Sequence, residues 1–177
     1  MKVLGISGSL RSDSHNSRLL RVAADLLPPG AELEEFTGLR DIPAYDADTE
    51  HDPAPAVVAL KEAIAGADAV LIATPEYNHS IPGVLKNALD WVSRPIADNP
   101  MRGKPVLVIG ASTGMFGAVW AQAEARKVLG ALGARVLDEE LPVAQAPIGL
   151  DDHELQARLA DLLAQLVSMG EALERAA

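Results

Sequence analysis

Short apolar runs alternate along the chain with longer stretches in which apolar residues recur every three or four positions. Three runs are continuously apolar, at 3–6, 70–73 and 106–109. A continuous apolar run of this length is typical of a strand buried on both faces, and a three-to-four-residue period is typical of an amphipathic helix. The alternation therefore predicts a parallel sheet with helices packed on both sides.

Two shorter apolar runs, at 33–36 and 135–137, are flanked by charge and suit the edges of this sheet. Helices are predicted from about 16 to 27, after an Asp52 N-cap, after a Ser80 N-cap, around 118–132, and after Asp151-Asp152. Five strands in this order predict the arrangement 2-1-3-4-5. The predicted fold is a flavodoxin-like three-layer α/β sandwich with a five-stranded parallel sheet, forming a single domain over 1–177.

Composition is consistent with one compact domain, because 49% of the 177 residues are hydrophobic and 23% are charged. The formal net charge of -10 disfavours nucleic acid and membrane surfaces as partners. There is no cysteine, which excludes disulfides, thiolate catalysis and cysteine-ligated metals. The start of the chain turns polar too soon for a signal peptide, and no apolar run approaches the roughly 20 residues of a membrane span. We expect a soluble, cytoplasmic protein.

The first polar loop, at 8–17, follows the first predicted strand. It contains neither G-x-G-x-x-G nor a Walker lysine, so a classical dinucleotide or triphosphate grip is not expected. Its hydroxyl groups, Arg11 and the backbone N–H groups of a helix start could bind a phosphate monoester, and His15 could donate to the same anion. A plain helix N-cap cluster accounts for the same residues. Both interpretations remain open.

A second polar loop, at 74–80, follows the third predicted strand. Pro75 stiffens the turn, while Tyr77 and Asn78 offer a flat surface with donors and acceptors, as the edge of a heteroaromatic ring requires. An Asx-type turn before a helix is the alternative. Because ligands of open parallel sheets bind beyond the carboxyl ends of the strands, this loop and the first one are expected to meet.

The third loop, at 110–117, contains three glycines that allow a close approach of backbone to ligand. Its N–H groups could face a developing negative charge at the start of the next helix. The loop also matches G-x-S-x-G, the pattern of a nucleophilic serine. A serine hydrolase using Ser112 with Asp138 and His153 is therefore one alternative, and a flexible connector is another.

Taken together, the three loops resemble the NADPH-dependent FMN reductase family, which includes quinone, azo and chromate reductases. The resemblance rests on Gly8-Ser9-Leu10-Arg11 with Ser14 and Asn16, on Pro75-Glu76-Tyr77-Asn78, and on the glycine-rich segment from Ser112 to Gly117. It implies an FMN cofactor, NADPH or NADH as co-substrate, and a small-molecule electron acceptor. The flavin would carry the chemistry, so no catalytic side chain and no metal are expected.

The resemblance also implies which residues bind FMN. The phosphate would be held by the first loop, the isoalloxazine and ribityl chain by the second, and the pyrimidine edge by the third. The resulting site residues are Ser9, Arg11, Ser14, His15, Asn16, Ser17, Pro75, Glu76, Tyr77, Asn78, Ser112, Thr113 and Gly114. Family members usually form homodimers or homotetramers, which implies contacts through the second and third helices and a partner near 41–46.

A flavodoxin-type electron carrier would share the fold and is the main alternative that is not an enzyme. Such carriers commonly bury the flavin ring between aromatic side chains, whereas aromatic residues make up only 3% of this chain. The serine hydrolase alternative leaves the first two loops without a role. We therefore expect an NAD(P)H-dependent FMN or quinone reductase.

Overall fold

The structure, a computed structural model, describes residues 1–175. Its strands are β1 (Lys2–Ser7), β2 (Glu32–Phe36), β3 (Ala69–Thr74), β4 (Pro105–Ala111), β5 (Arg135–Val136) and β6 (Pro142–Val143). Its helices are α1 (His15–Leu26), α2 (Pro55–Ala65), α3 (Gly83–Val92), α4 (Val119–Ala131), α5 (Ala146–Gly149) and α6 (His153–Glu174).

All strand pairs of the sheet are parallel, and the order β2-β1-β3-β4-β5 confirms the predicted arrangement. The prediction of five strands is wrong by one. Strand β5 pairs with the first residues of β4, and β6 pairs with its last two, Gly110 and Ala111. The sixth strand is only two residues long and contains Pro142, so its own sequence gives no period from which it could be recognised.

Successive residues of each central strand enter two different cores. Leu4 and Ile6 pack with α2, α3 and α4, whereas Val3 packs with α1 and α6. Every residue of β3 and β4 is buried. This two-sided burial explains why the central strands are continuously apolar in sequence, and it confirms the predicted three layers.

Two predicted N-caps are wrong. Helix α2 begins at Pro55 after Ala54, and α3 begins at Gly83 after Pro82, so neither Asp52 nor Ser80 caps a helix. The physical reason is proline, because the residue before a proline is disfavoured in the helical region. Helix α2 therefore starts at Pro55 itself, and α3 starts directly after Pro82. The prediction for α6 is confirmed, since the Asp152 carboxylate accepts a 2.8 Å hydrogen bond from the Leu155 N–H.

The long connection between β2 and α2 is fastened to α3. The Pro43 carbonyl oxygen accepts hydrogen bonds from Asn87 Nδ2 (2.8 Å) and from Trp91 Nε1 (2.9 Å). The Trp91 ring is buried and meets Tyr45 edge to face, with 5.1 Å between centroids. Over residues 1–175, none of the helices has both the length and the hydropathy of a membrane span.

Candidate functional site

The loops after β1, β3 and β4 meet at the carboxyl edge of the sheet around a cleft of about 160 Å³. Ten of the thirteen predicted site residues line it, joined by Ala111: Ser9, Arg11, Ser14, His15, Asn16, Pro75, Glu76, Tyr77, Ser112 and Thr113. Ser17, Asn78 and Gly114 lie outside this lining. The switch point of the sheet thus brings together segments that are up to about a hundred residues apart in sequence.

Ser14 is the N-cap of α1. Its Oγ accepts hydrogen bonds from the N–H groups of Asn16 (3.2 Å) and Ser17 (3.3 Å). A hydroxyl that accepts two hydrogen bonds still has its own proton to donate. The capping role and a role toward an anion in the cleft are therefore compatible, and His15 begins the helix beside it.

Asn16 joins the first loop to the end of β4. Its side chain is buried, donates to the Ala111 carbonyl at 3.0 Å and accepts from the Ala111 N–H at the same distance. These two hydrogen bonds hold the first loop against the end of β4. Sequence reasoning missed this role, because the partner lies 95 residues away and is a backbone group.

The second loop closes as a tight turn from Tyr77 to Ser80. Two backbone hydrogen bonds join these residues, at 3.0 and 3.1 Å, and the two central residues, Asn78 and His79, have φ of 54° and 60°. Two consecutive residues with positive φ are typical of a β-hairpin turn, in which the second central position is usually glycine. Here that position is His79. The turn is closed by backbone and leaves the Tyr77 ring 53% exposed at the cleft.

The Glu76 carboxylate caps α4 from a distant part of the chain. Its Oε2 accepts from the N–H groups of Trp120 (3.0 Å) and Ala121 (3.3 Å). The residue at the N-cap position itself is Ala118, which has no side-chain oxygen and a φ of 62°. Glu76 therefore supplies the oxygen that an N-cap normally provides, and it ties the second loop to the third.

The third loop is braced by the chain around β6. The Ser112 N–H donates to the Val143 carbonyl at 3.0 Å, and the Gly114 carbonyl accepts from the Gln145 N–H at 2.9 Å. The N–H groups of Thr113 and Gly114 have no hydrogen-bond partner within the part of the chain that the structure describes. These two donors are available to a ligand in or above the cleft.

The geometry does not support a nucleophilic Ser112. Asp138 lines a different cavity, with Ala123 and Arg126, and His153 opens α6. Among residues 1–175, no hydrogen bond joins the Ser112 hydroxyl to either of them. A catalytic triad requires such contacts, so the G-x-S-x-G match reflects the glycine content of the loop.

An apolar rim lies beside the cleft. Met115 is 79% exposed and Phe116 61% exposed. The Trp120 ring contacts Phe116, with 4.9 Å between centroids, and meets the His79 ring edge to face at 4.7 Å. A group of exposed apolar side chains of this kind marks an interaction surface.

Comparison with known proteins agrees with the fold. A sequence model of the family described as NADPH-dependent FMN reductase matches residues 1–147. The chain belongs to this family. It is 46% identical over 163 residues to a protein named NAD(P)H-dependent FMN reductase from Pseudomonas aeruginosa, covering 91% of this chain and 85% of the relative. It is 39% identical over 182 residues to a protein named quinone reductase from Escherichia coli K12, covering 99% and 96%.

A solved structure supports the same conclusion. The flavoenzyme NAD(P)H:(acceptor) oxidoreductase FerB from Paracoccus denitrificans superposes with a TM-score of 0.84 at 36% identity, and 97% of each chain is covered. The predicted flavodoxin-like fold is confirmed, and so is the predicted function as an FMN-dependent NAD(P)H oxidoreductase. The electron-carrier and hydrolase alternatives are not supported.

Proposed function

We propose that this member of the family reduces quinones, with FMN held in the cleft of the three loops and NADPH or NADH as the electron donor. The observation that carries the proposal is the meeting of the three loops around one 160 Å³ cleft. The names of two relatives, the 39% identical quinone reductase and a 44% identical 2-hydroxy-1,4-benzoquinone reductase, favour quinones over azo compounds or chromate as the acceptor.

The donors of the first loop fit the phosphate of FMN. Arg11 contributes a guanidinium group, and the hydroxyls of Ser9 and Ser14 line the same side of the cleft. Charge-assisted hydrogen bonds from arginine and hydrogen bonds from serine are the usual grip on a phosphate monoester. In a chain with a net charge of -10, this part of the surface is where an anion would be attracted.

The donors of the third loop fit the edge of the isoalloxazine ring. The unpartnered N–H groups of Thr113 and Gly114 can act as fixed dipoles toward the negative charge that the ring acquires on reduction. Tyr77 and Pro75 provide apolar surface on the neighbouring wall. Bulk added at Gly114 should therefore weaken FMN retention or slow reduction.

When bound, FMN supplies the exchange of hydride between the nicotinamide and the acceptor. The residues of the cleft bind and orient the cofactor and leave one face open, so that donor and acceptor can occupy the same place in turn. No side chain has to transfer a proton during the hydride steps. A ping-pong kinetic pattern follows.

The test starts with FMN binding and anaerobic reduction. The purified protein should bind FMN, turn yellow and be bleached by NADPH, and it should then oxidise NADPH continuously when a benzoquinone is added. Arg11→Gln should weaken FMN binding by roughly tenfold, the loss of one charge-assisted contact. The matched control is Arg21→Gln, which removes the same charge from an exposed part of α1.

Two results would contradict the proposal. One is a protein that binds no FMN at concentrations that saturate other family members. The other is a protein that binds FMN but shows no NADPH oxidation with any quinone.

The proposal extends to assembly and location. The apolar rim of Met115, Phe116 and Trp120 supports a homodimer or homotetramer, because side chains of this kind are usually covered. The acidic net charge favours a small-molecule acceptor over nucleic acid or membrane partners, and a cytoplasmic location is part of the proposal. Size-exclusion chromatography with light scattering measures the assembly, and a monomer at micromolar concentration would refute that part.

A further inference from the structure

A second cavity lies on the other side of the first loop. It has a volume of about 300 Å³ and is bounded by the first loop and by the carboxyl end of β2. Ser9 and Arg11 line both this cavity and the 160 Å³ cleft. The two cavities are therefore neighbours on either side of these two residues.

The second cavity is built for a phosphate group. The guanidinium groups of Arg11 and Arg40 line it, against one carboxylate, that of Glu35. The hydroxyls of Ser12, Ser17 and Thr37 also line it, and within residues 1–175 none of the three forms a hydrogen bond in the structure. Two guanidinium groups with free hydroxyls form a donor set that matches the oxygens of a phosphate monoester.

Arg40 is held in place by the first loop. Its Nη2 donates to the Leu10 carbonyl at 2.6 Å. A guanidinium group has five N–H donors, so this bond leaves the others free for a ligand. Fixing the side chain in advance reduces the entropy that a ligand would otherwise lose in ordering it.

The position of the cavity indicates which phosphate it takes. In dinucleotide-binding α/β folds, an arginine near the end of the second strand accommodates a 2′-phosphate, and this chain has an arginine at that position although it lacks the glycine fingerprint of those folds. Thr37 and Arg40 directly follow β2 in this chain. The phosphate of FMN is assigned to the cleft side of the first loop, which leaves the second cavity for the donor.

We infer that the cavity between the first loop and the end of β2 binds the 2′-phosphate of NADPH, and that Arg40 makes the protein prefer NADPH to NADH. The inference rests on the proposed function, because it concerns the electron donor of that reaction. Neither the family description nor the names of the relatives assign a residue to this preference.

The kinetic test compares the two nicotinamides in Arg40→Gln. Glutamine removes the positive charge and keeps a polar, though shorter, side chain. The KM for NADPH should rise by roughly tenfold, as expected for loss of one charge-assisted contact, while the KM for NADH and both kcat values stay within about twofold. Arg21→Gln, the matched charge control on α1, should change neither KM.

A binding test does not depend on turnover. Adenosine 2′,5′-bisphosphate should bind the FMN-loaded protein roughly tenfold more tightly than adenosine 5′-diphosphate, as measured by calorimetry. This preference should disappear in Arg40→Gln and persist in Arg21→Gln. Thr37→Val removes an exposed hydroxyl from the same cavity and should also reduce the preference for adenosine 2′,5′-bisphosphate. This second variant tests the cavity even if Arg40→Gln disturbs the first loop.

Three outcomes would overturn the inference. Equal affinity of the wild-type protein for the two adenosine phosphates would show that the cavity does not read a 2′-phosphate. Equal weakening of NADPH and NADH in Arg40→Gln would show a general effect on the site. Weaker FMN binding in Arg40→Gln would assign the cavity to the flavin phosphate. Failure of the proposed function appears differently, as FMN-loaded protein that oxidises neither nicotinamide.

Discussion

Asn16 shows how one side chain can join two of the loops that line the cleft. Its amide forms both a donor and an acceptor bond to the buried backbone of Ala111, and so joins the first loop to the end of β4. The sequence predicted a role for Asn16 toward a phosphate. Only the folded chain shows that its amide also bonds to Ala111.

Asn16→Ala should destabilise the protein strongly. The substitution leaves the N–H and the carbonyl of Ala111 buried without partners, at a cost of about 2–4 kcal/mol in the free energy of unfolding. Urea denaturation measures the change. Ser17→Ala, one residue further along α1, should change it by less than about 0.5 kcal/mol. Equal effects of the two substitutions would disprove this role of Asn16.

Glu76 acts on a helix to which it does not belong. Glu76→Ala removes the acceptor of the Trp120 and Ala121 N–H groups, and the free energy of unfolding should fall by about 1 kcal/mol, as for loss of an N-cap. Glu76→Gln keeps an oxygen acceptor and should lose about half as much. The same urea titrations compare the two variants, and a Gln variant as unstable as the Ala variant would argue against capping.

At the scale of elements, proline explains why the predicted starts of α2 and α3 were wrong. The apolar periods placed α2 and α3 correctly, but each predicted cap lies two residues before the observed one, because Pro55 and Pro82 disfavour helical backbone at the residue just before them. Sheet order was predictable, because the central strands are apolar throughout. Strand β6 was not predictable, because its two residues carry no pattern of their own and are recognised as a strand only by their pairing with β4.

The turn that leads into α4 requires glycine at 117. Gly117 has a φ of 57°, and a Cβ there would lie 2.5 Å from the Pro142 carbonyl carbon. Gly117→Ala should therefore force the third loop away from β6 and lower the free energy of unfolding by roughly 2 kcal/mol or more. FMN affinity should fall with it.

The matched control is Gly114→Ala, in the same loop. A Cβ at Gly114 meets only the Ser112 hydroxyl at 3.7 Å, so its effect on stability should be small. Thermal unfolding without FMN measures both variants. Comparable stability of Gly117→Ala and wild type would mean that the loop tolerates the displacement.

For the whole molecule, cofactor binding and stability are linked. FMN at about a hundred times its Kd should add about 2.7 kcal/mol to the free energy of unfolding, which corresponds to roughly 5–10 °C in Tm for a chain of this size. Riboflavin lacks the phosphate and should give a clearly smaller shift at equal concentration. Equal shifts would show that the first loop does not bind the phosphate.

Lys104 lies at the end of the sheet opposite the cleft and makes the stability of the protein depend on pH. Partial burial lowers the pKa of Lys104 below its ordinary value of 10.5, and Asp68 opposes that change. Between the lowered pKa and 10.5 the unfolded chain binds more protons than the folded one, so this group makes stability rise with pH in that window. Lys104→Met should remove that part of the rise, measured as the difference from wild type in urea titrations across alkaline pH. Identical pH profiles would contradict it.

The sequence by itself determined the sheet order, the three layers and the loops that carry the site, because two-sided burial and helical periods are local consequences of composition along the chain. Tertiary structure alone decided how the loops are joined. The bonds of Asn16 to Ala111, of Glu76 to the start of α4 and of Ser112 to β6 connect residues that no local pattern relates. Their partners are backbone groups, which every residue carries, so only the folded geometry selects them.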